Sequence, residues 1–181
     1  VSELSFEELS SIKVRGRARV ARLEEVLTAA EGRGWVVVEL KEAGLEEAVV
    51  EALKGFKGRA VVSSFIHPSL IRVKELAPWL ETGAIYTCLP VKRVQLALDA
   101  GVDVVFPRRD FVSAEVVDEA HDHGLRVYPW VVDDPVEAVR LAELGVDGVV
   151  TNKPDVVRRG LQGKLIAGRG VSIVDDEFRS P

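Results

Sequence analysis

The sequence predicts an α/β protein built on a parallel β-sheet, and three observations lead to this fold class. Short runs rich in Val, Ile and Leu alternate with stretches whose apolar residues recur every three or four positions. The strand runs are almost continuously apolar, which is typical of strands buried on both faces. Gly101, Gly124 and Gly145 each end a helical stretch just before a strand, in a turn that favours glycine.

Six strands are predicted, and helical stretches separate them. The strands lie at residues 35–40, 59–64, 84–89, 102–106, 125–130 and 147–151. The clearest helix start is Asp134-Pro135, because Asp134 can cap a helix and Pro135 suits its first turn. Two further helices are predicted before the first strand, at 6–12 and 23–30, with a basic loop at 13–22.

After residue 160 the periodic pattern is lost. We therefore predict one barrel-like domain over residues 1–160 and a C-terminal extension of low order over residues 161–181. No linker rich in Gly, Ser or Pro divides the chain further.

Strict alternation of strands and helices allows two architectures, an open doubly wound sheet or a (β/α)₈ TIM barrel. An open sheet usually carries a glycine-rich phosphate-binding turn, and no G-x-G-x-x-G motif follows any predicted strand. The barrel is therefore favoured. Because six units cannot close an eight-stranded barrel, we predict an incomplete barrel of about six parallel βα units.

Composition excludes several classes of protein. The 181 residues, 47% of them hydrophobic, suffice for one domain with a buried core. With 29 acidic against 24 basic residues, nucleic acid is not an expected partner. No apolar run approaches the roughly 20 residues of a membrane span and no leader is recognisable, so we expect a soluble, cytoplasmic protein. Cys88 is the single cysteine, which excludes an internal disulfide and a cysteine metal cluster.

Functional side chains of a barrel collect at the carboxyl ends of its strands. Glu39 and Lys41 lie two residues apart at the first such end, so their side chains share one face. A carboxylate suits Mg²⁺ or Ca²⁺, and an ammonium group suits a phosphate oxygen. From the residues alone, a simple ion pair explains them equally well. Trp130 ends the fifth strand, where a core position is the commoner role of tryptophan.

None of the three histidines is predicted to bind a metal. His121 and His123 end a helix on diverging sides, where the helix dipole accounts for them. His67 follows the second strand and precedes Pro68, so we expect it at a helix start.

Several motifs occur in a specific order and spacing. They are L-E-E-V-L at 23–27, E-L-K at 39–41, V-S-S-F at 62–65, G-L-R-V at 124–127, W-V-V-D at 130–133 and L-G-V-D-G-V-V-T-N-K-P at 144–154. In this combination the sequence resembles the glycerophosphodiester phosphodiesterase family from about residue 1 to residue 159. The family fold is a (β/α)₈ barrel, in agreement with the alternation of strands and helices.

The resemblance implies hydrolysis of a small-molecule glycerophosphodiester to glycerol 3-phosphate and an alcohol, with a divalent cation, Mg²⁺ or Ca²⁺. Glu39 matches a carboxylate metal ligand of the family. Lys41 matches the lysine that contacts the phosphate and is the predicted catalytic residue. Lys41, Ser64 and Trp130 are the predicted substrate-binding residues, with Trp130 on the glycerol side.

The sequence also departs from the family pattern. The family's His-Arg, Glu-x-Asp and His-Asp motifs, which contain the general acid, the general base and further metal ligands, lie upstream of the matching region. Asp133 and Asn152 stand where Asn and Asp are commoner. We therefore expect a fragment with the last six βα units of the barrel, inactive by itself.

Three hypotheses for function follow. The favoured one is a phosphodiesterase whose first two βα units precede Val1. The second is a non-catalytic barrel that binds a phosphate-containing ligand or partner, with a homo-oligomer covering open strand edges at 35–40 and 147–151. The third is another phosphate-handling barrel, such as a phosphosugar isomerase or aldolase, which the order of Glu39 and Lys41 disfavours.

Overall fold

The computed structural model describes residues 4–14, 18–162 and 172–175. Ahead of the main sheet lie α1 (Phe6–Ser11), β1 (Lys13–Val14), β2 (Ala18–Arg19) and α2 (Leu23–Ala30). Both predicted helices are therefore present. The prediction of a loop throughout 13–22 is wrong, since β1 and β2 pair as a short antiparallel hairpin.

The main sheet contains five parallel strands in chain order. They are β3 (Val36–Leu40), β4 (Ala60–Ser64), β5 (Glu81–Tyr86), β6 (Val104–Pro107) and β7 (Arg126–Val127). A sixth strand, β8 (Gly148–Thr151), continues this order, because Asp147 and Val150 donate backbone hydrogen bonds to Val127 and Pro129.

Helices separate these strands along the chain, as the sequence predicted. They are α3 (Glu46–Lys54), α4 (His67–Leu76), α5 (Gln95–Asp99), a 3₁₀ turn (Arg109–Phe111), α6 (Ala114–Asp122), α7 (Pro135–Glu143) and α8 (Pro154–Gln162). Asp134 caps α7 by accepting the N–H of Val136 at 3.0 Å. The glycines at 101, 124 and 145 all have positive φ, which lets each helix turn directly into the next strand.

The two faces of the sheet bury different side chains. On the outer face, Leu40 and Val62 pack against α3 residues such as Leu53. The inner face forms a separate apolar cluster. Its buried members are Val61, Ile85, Val104, Phe106, Tyr128 and Val150. Helices on one face and a packed interior on the other are the two layers of a (β/α)₈ barrel, here with six of its strands in place.

Charged side chains fill the amino-terminal end of the barrel interior. The Glu81 carboxylate accepts hydrogen bonds from Arg59 at 2.9 Å and from Arg126 at 2.8 Å. The guanidinium of Arg59 also lies over the ring of Trp35, 5.0 Å from its centre. An ion network therefore joins the strands at this end of the barrel. The candidate site lies at the opposite end, where the strands have their carboxyl ends.

Strand β5 begins three residues before its predicted start at 84. Glu81 and Gly83 are not typical strand formers, which is why the sequence pattern missed this start. Gly83 is nevertheless required here, because the Phe106 ring occupies the space that a Cβ at this position would need. The barrel interior thus determines a strand that local propensity does not indicate.

The edge of β8 is covered by another strand. Residues of β9 (Ser172–Asp175) pair in parallel with β8, from Gly148 opposite Ser172 to Thr151 opposite Asp175. The expectation of an open edge at 147–151 is therefore wrong. The expectation of low order throughout 161–181 is also wrong, because α8 reaches Gln162 and β9 pairs with β8. The rest of that extension, residues 163–171 and 176–181, lies outside the described residues. Within the described part of the chain, β3 is one edge strand of the five-stranded sheet, and β7 is the other, beside which β8 continues the order. No described helix is long and apolar enough to cross a membrane.

Candidate active site at the carboxyl ends of the strands

Glu39 and Lys41 form an ion pair at the carboxyl end of β3. Glu39 Oε1 lies 2.7 Å from Lys41 Nζ, so the two side chains share one face as their spacing predicts. The alternation of the strand turns Glu39 towards the barrel interior and Leu40 towards the helices. The Glu39 side chain is 27% exposed, whereas that of Lys41 is 73% exposed.

The carboxylate of Glu39 can accept further hydrogen bonds or bind a cation. Its buried Oε1 receives no hydrogen bond from the described residues, and the ammonium of Lys41 is its ionic partner. A buried carboxylate oxygen with one monovalent partner is suited to a hard divalent cation. Glu39 thus fits one position in the coordination sphere of Mg²⁺ or Ca²⁺.

In the described part of the chain, Glu39 is not part of a larger cluster of metal-binding side chains. Within residues 4–14, 18–162 and 172–175 there is no group of three or more His, Cys, Asp or Glu side chains that could hold a metal ion. Glu39 is therefore a fitting ligand that does not belong to a cluster of three or more such side chains within the described residues.

Ser64 lies on the other face of the sheet from Glu39. Its hydroxyl donates to the Leu40 carbonyl at 2.8 Å and accepts the Ile66 N–H at 2.9 Å. The side chain is completely buried. Ser64 consequently ties the ends of β3 and β4 together, and the structure does not group its hydroxyl with Glu39 and Lys41.

Trp130 lies at the end of the segment that follows β7. Its indole Nε1 donates to the Phe106 carbonyl at 2.8 Å, and its ring meets that of Phe65 edge-on at 5.6 Å between centres. Phe65 directly follows β4 and is 44% exposed. The two aromatic rings therefore form an apolar wall at the carboxyl end of the strands.

Asp133 organises the neighbouring end of β8. Its carboxylate accepts hydrogen bonds from the Thr151 hydroxyl at 3.0 Å and from the Asn152 backbone at 2.7 Å. Burial tends to raise the pKa of Asp133, but hydrogen bonds from Asn152 and Thr151 and the charge of Lys153 lower the pKa below its usual value. Asp133 is thus an ionised group at the site.

Each histidine has a polar partner within the protein, and the predicted helix start at His67 is confirmed. His67 begins α4, where its Nε2 lies 3.2 Å from the Ile85 carbonyl. His121 pairs with Asp147 at 2.9 Å, and His123 lies 2.8 Å from the Glu119 carbonyl.

Comparison with known proteins agrees with this architecture. Residues 2–156 match the model of the Glycerophosphoryl diester phosphodiesterase family. The chain belongs to this family. It is also 32% identical over 154 residues to a glycerophosphodiester phosphodiesterase of Caldanaerobacter subterraneus subsp. tengcongensis, over 78% of this chain and 63% of the relative. The chain thus spans somewhat less than two thirds of that relative.

Solved glycerophosphodiester phosphodiesterase structures share the fold. A putative family enzyme from Galdieria sulphuraria superposes with a TM-score of 0.78 at 26% identity, over 88% of this chain and 71% of that one. An Oleispira antarctica phosphodiesterase, solved with the product sn-glycerol-3-phosphate, superposes with a TM-score of 0.63 at 24% identity, over 68% of this chain and 53% of that one. The predicted family and the predicted incomplete (β/α)₈ barrel are both confirmed.

Two features of this family site were missed by the sequence interpretation. Phe65 was noted as part of a motif but not as the partner of Trp130, although its position two residues after Ser63 places it on the inner face. The bonds between Asp133 and Asn152 join residues 19 apart, and no local pattern indicates them.

Proposed function

We propose that this chain forms part of a metal-dependent phosphodiesterase that hydrolyses glycerophosphodiesters to glycerol 3-phosphate and an alcohol. The observation that carries the proposal is the 2.7 Å pair of Glu39 and Lys41 at the carboxyl end of a barrel strand. The names of the relatives and the product bound to the Oleispira enzyme support the same substrate class.

Glu39 is the proposed ligand of the divalent cation, with Mg²⁺ or Ca²⁺ as candidates. Family members are generally dependent on such a cation. When bound, the cation withdraws electron density from the phosphoryl oxygens and offsets the charge that develops on them. The incompletely partnered carboxylate of Glu39 is preorganised for this role, because it already lies at the strand end.

Lys41 is the proposed phosphate-binding and catalytic residue. Its ammonium group carries three N–H donors, and its contact with Glu39 is an ion pair without a hydrogen bond. The exposed side chain leaves these donors free to bind phosphoryl oxygens. Because hydrogen bonds and positive charge at these oxygens stabilise the transition state, Lys41 contributes to rate as well as to binding.

Trp130 and Ser64 complete the proposed substrate-binding residues. The face of Trp130, backed by Phe65, offers an apolar surface to the carbon skeleton of glycerol. For Ser64 we propose an indirect role, since its hydroxyl is committed to Leu40 and Ile66. By fixing Leu40, Ser64 holds the strand end that carries Glu39 and Lys41.

General acid and base catalysis is assigned to groups outside the described residues. The side chains of His67, His121 and His123 are engaged in the helix and strand contacts given above. We propose that the acid, the base and the remaining metal ligands come from further βα units that pair with the edge of β3.

The test is release of glycerol 3-phosphate from sn-glycero-3-phosphocholine by the complete gene product and by this chain alone. EDTA should abolish the activity of the complete product, and Mg²⁺ or Ca²⁺ should restore it. Replacing a metal ligand removes several kcal/mol of transition-state stabilisation, so Glu39→Gln should lower the metal-dependent rate by about 100-fold or more. The exposed Glu42→Gln is the matched control and should retain full activity. Full activity of Glu39→Gln across a metal titration would overturn the assignment.

A second candidate function is binding of a phosphate-containing ligand or partner without catalysis. The observation that favours it is that the described residues contain no group of three or more His, Cys, Asp or Glu side chains that could hold a metal ion. It predicts that inorganic phosphate binds in a Lys41-dependent way while no substrate is hydrolysed, even by the complete gene product. In this case we also propose self-association through the β3 edge, which sedimentation analysis can measure.

A further inference from the structure

The side chain of Asp133 is the acceptor for three hydrogen bonds from the end of β8. Oδ1 accepts the Thr151 hydroxyl at 3.0 Å and the Asn152 backbone N–H at 2.7 Å. Oδ2 accepts the Asn152 side-chain amide at 3.2 Å. The ionised Asp133 carboxylate, which only accepts hydrogen bonds, therefore faces the Asn152 amide, which donates one. Both side chains are half-buried.

The segment that carries Asp133 also carries Trp130. On one side, Trp130 bonds to β6 through its backbone N–H, 3.1 Å from the Pro107 carbonyl, and through its indole. On the other side, Val132 donates to the Val150 carbonyl of β8 at 2.8 Å. Asp133 adds the last bonds to β8, beyond the backbone contact of Val132.

By the family resemblance given above, Asp133 and Asn152 are also two of the positions at which the chain departs from the commoner residues. The two departures are opposite, because a carboxylate stands where an amide is commoner and an amide stands where a carboxylate is commoner. An exchange in both members keeps one carboxylate facing one amide, whereas an exchange in one member gives either two amides or two carboxylates.

We propose that Asp133 and Asn152 act as a reciprocal carboxylate–amide pair that positions Trp130 for substrate binding. The inference rests on the proposed function only in the last step, from Trp130 to substrate. The pair couples the segment that follows β7 to the end of β8, and either order of the two side chains can form it. The residues are therefore positioning residues, not catalytic ones.

The proposal predicts an asymmetric response to single substitutions. In Asp133→Asn, an amide rotation at residue 152 presents its oxygen to the new amide, so a hydrogen bond can re-form. In Asn152→Asp, two half-buried carboxylates face each other across the 3.2 Å contact, and like charges at that distance repel strongly. The double variant restores one carboxylate, one amide and the original net charge.

The first measurement is the thermal unfolding midpoint of this chain in a double-mutant cycle. Its four members are the wild type, Asp133→Asn, Asn152→Asp and the double variant. Asn152→Asp should lower the midpoint by about 5–10 °C, and the double variant should recover most of that loss. Asn152→Ser removes the amide without adding charge, so it should lower the midpoint by only a few degrees. Asp134→Asn is the matched control, because asparagine is an equally good helix cap.

The second measurement reports on Trp130 itself. The chain has three tryptophans, so ¹⁵N labelling of tryptophan gives three indole cross-peaks, which Trp35→Phe and Trp79→Phe assign by elimination. The Trp130 cross-peak should shift in Asn152→Asp, as the indole hydrogen bond to Phe106 is disturbed, and return in the double variant. The cross-peaks of Trp35 and Trp79 should stay in place.

In the complete gene product, Asn152→Asp should lower kcat/KM for sn-glycero-3-phosphocholine by about 10-fold or more, chiefly through KM. Rescue of stability, cross-peak and KM by the double variant supports the proposal. If Asn152→Asp behaves like Asn152→Ser, or if the double variant recovers stability but leaves the Trp130 cross-peak displaced, the proposal is wrong. If the cross-peak follows the cycle while even the wild type shows no hydrolysis, the pairing stands and the proposed function fails.

Discussion

His121 Nε2 lies 2.9 Å from Asp147 Oδ2, and this carboxylate oxygen also accepts the backbone N–H of Val127 at 2.8 Å. Asp147 stands just before β8, Val127 ends β7, and His121 belongs to α6. The Asp147 carboxylate therefore joins the start of β8 to β7 and to α6, the helix that leads into β7.

The same arrangement occurs earlier in the chain. Asp103, just before β6, accepts the Lys74 ammonium at 2.7 Å and the Thr82 backbone N–H at 2.8 Å. Both aspartates end a Gly-Val-Asp sequence. His121 and Lys74 thus occupy equivalent places in two βα units, which explains His121 as a structural residue.

Asp147→Ala should destabilise the chain more than His121→Ala. Loss of the carboxylate leaves the buried N–H of Val127 without its side-chain acceptor and should cost about 2–3 kcal/mol of unfolding free energy. Loss of the imidazole removes one half-buried hydrogen bond, about 1 kcal/mol. Urea unfolding measures both, with the exposed Asp122→Ala as control. Equal losses for the two variants would contradict the shared role of the carboxylate.

Glu81 should make the unfolding free energy of the chain depend on pH in the acidic range. Burial acts to raise its pKa, but the guanidinium groups of Arg126 and Arg59 outweigh this and hold the pKa below its ordinary value of 4.5. Because the folded pKa is the lower one, the stabilisation is complete above about pH 4.5 and is lost as pH falls through the folded pKa.

Glu81→Gln tests this expectation. At pH 7 the variant should lose about 2 kcal/mol of unfolding free energy, since one Nη of Arg126 is buried and already lacks a hydrogen-bond partner in the described part of the chain. The difference from wild type should shrink steadily below pH 4.5 in urea unfolding curves. Glu75→Gln, at an exposed ion pair, should show neither effect. A difference that does not change with pH would show that the Glu81 charge is not responsible.

Ser64→Ala should lower both stability and activity. The substitution leaves the Leu40 carbonyl and the Ile66 N–H without their buried partner, which should cost about 1–3 kcal/mol. Because Leu40 lies between Glu39 and Lys41, the rate of the complete gene product should also fall. Chemical unfolding and glycerol 3-phosphate release measure the two effects, and the exposed Ser11→Ala should change neither. An unfolding free energy equal to wild type would exclude the bracing role.

Lys41→Met should impair catalysis without loss of stability. The side chain is 73% exposed, so the thermal midpoint should not change measurably, whereas kcat/KM of the complete gene product should fall by about 100-fold. Inorganic phosphate should also inhibit Lys41→Met more weakly than the wild type. Lys57→Met, an exposed lysine near the amino-terminal end of β4, is the control. Unchanged inhibition by phosphate would argue against the contact between Lys41 and phosphate.

Much of the site was predictable because its residues are close in sequence. The shared face of Glu39 and Lys41 follows from the two-residue period of a strand, and the structure places them 2.7 Å apart. Ser64 was also located correctly at a strand end, but strand alternation turns it to the helix side, where its hydroxyl bonds to Leu40. The proposed substrate contact of Ser64 stays a prediction.

By itself, the sequence determined the order of strands and helices, the glycine turns between them, the incomplete (β/α)₈ barrel and the family. These depend on periodicity and local turn chemistry, which act over a few residues. Only the tertiary structure decided that Gly83 belongs to a strand beneath Phe106, that residues 172–175 cover β8, and that Asp133 binds Asn152. Each of these depends on contacts between segments distant along the chain, and packing rather than local preference selects them.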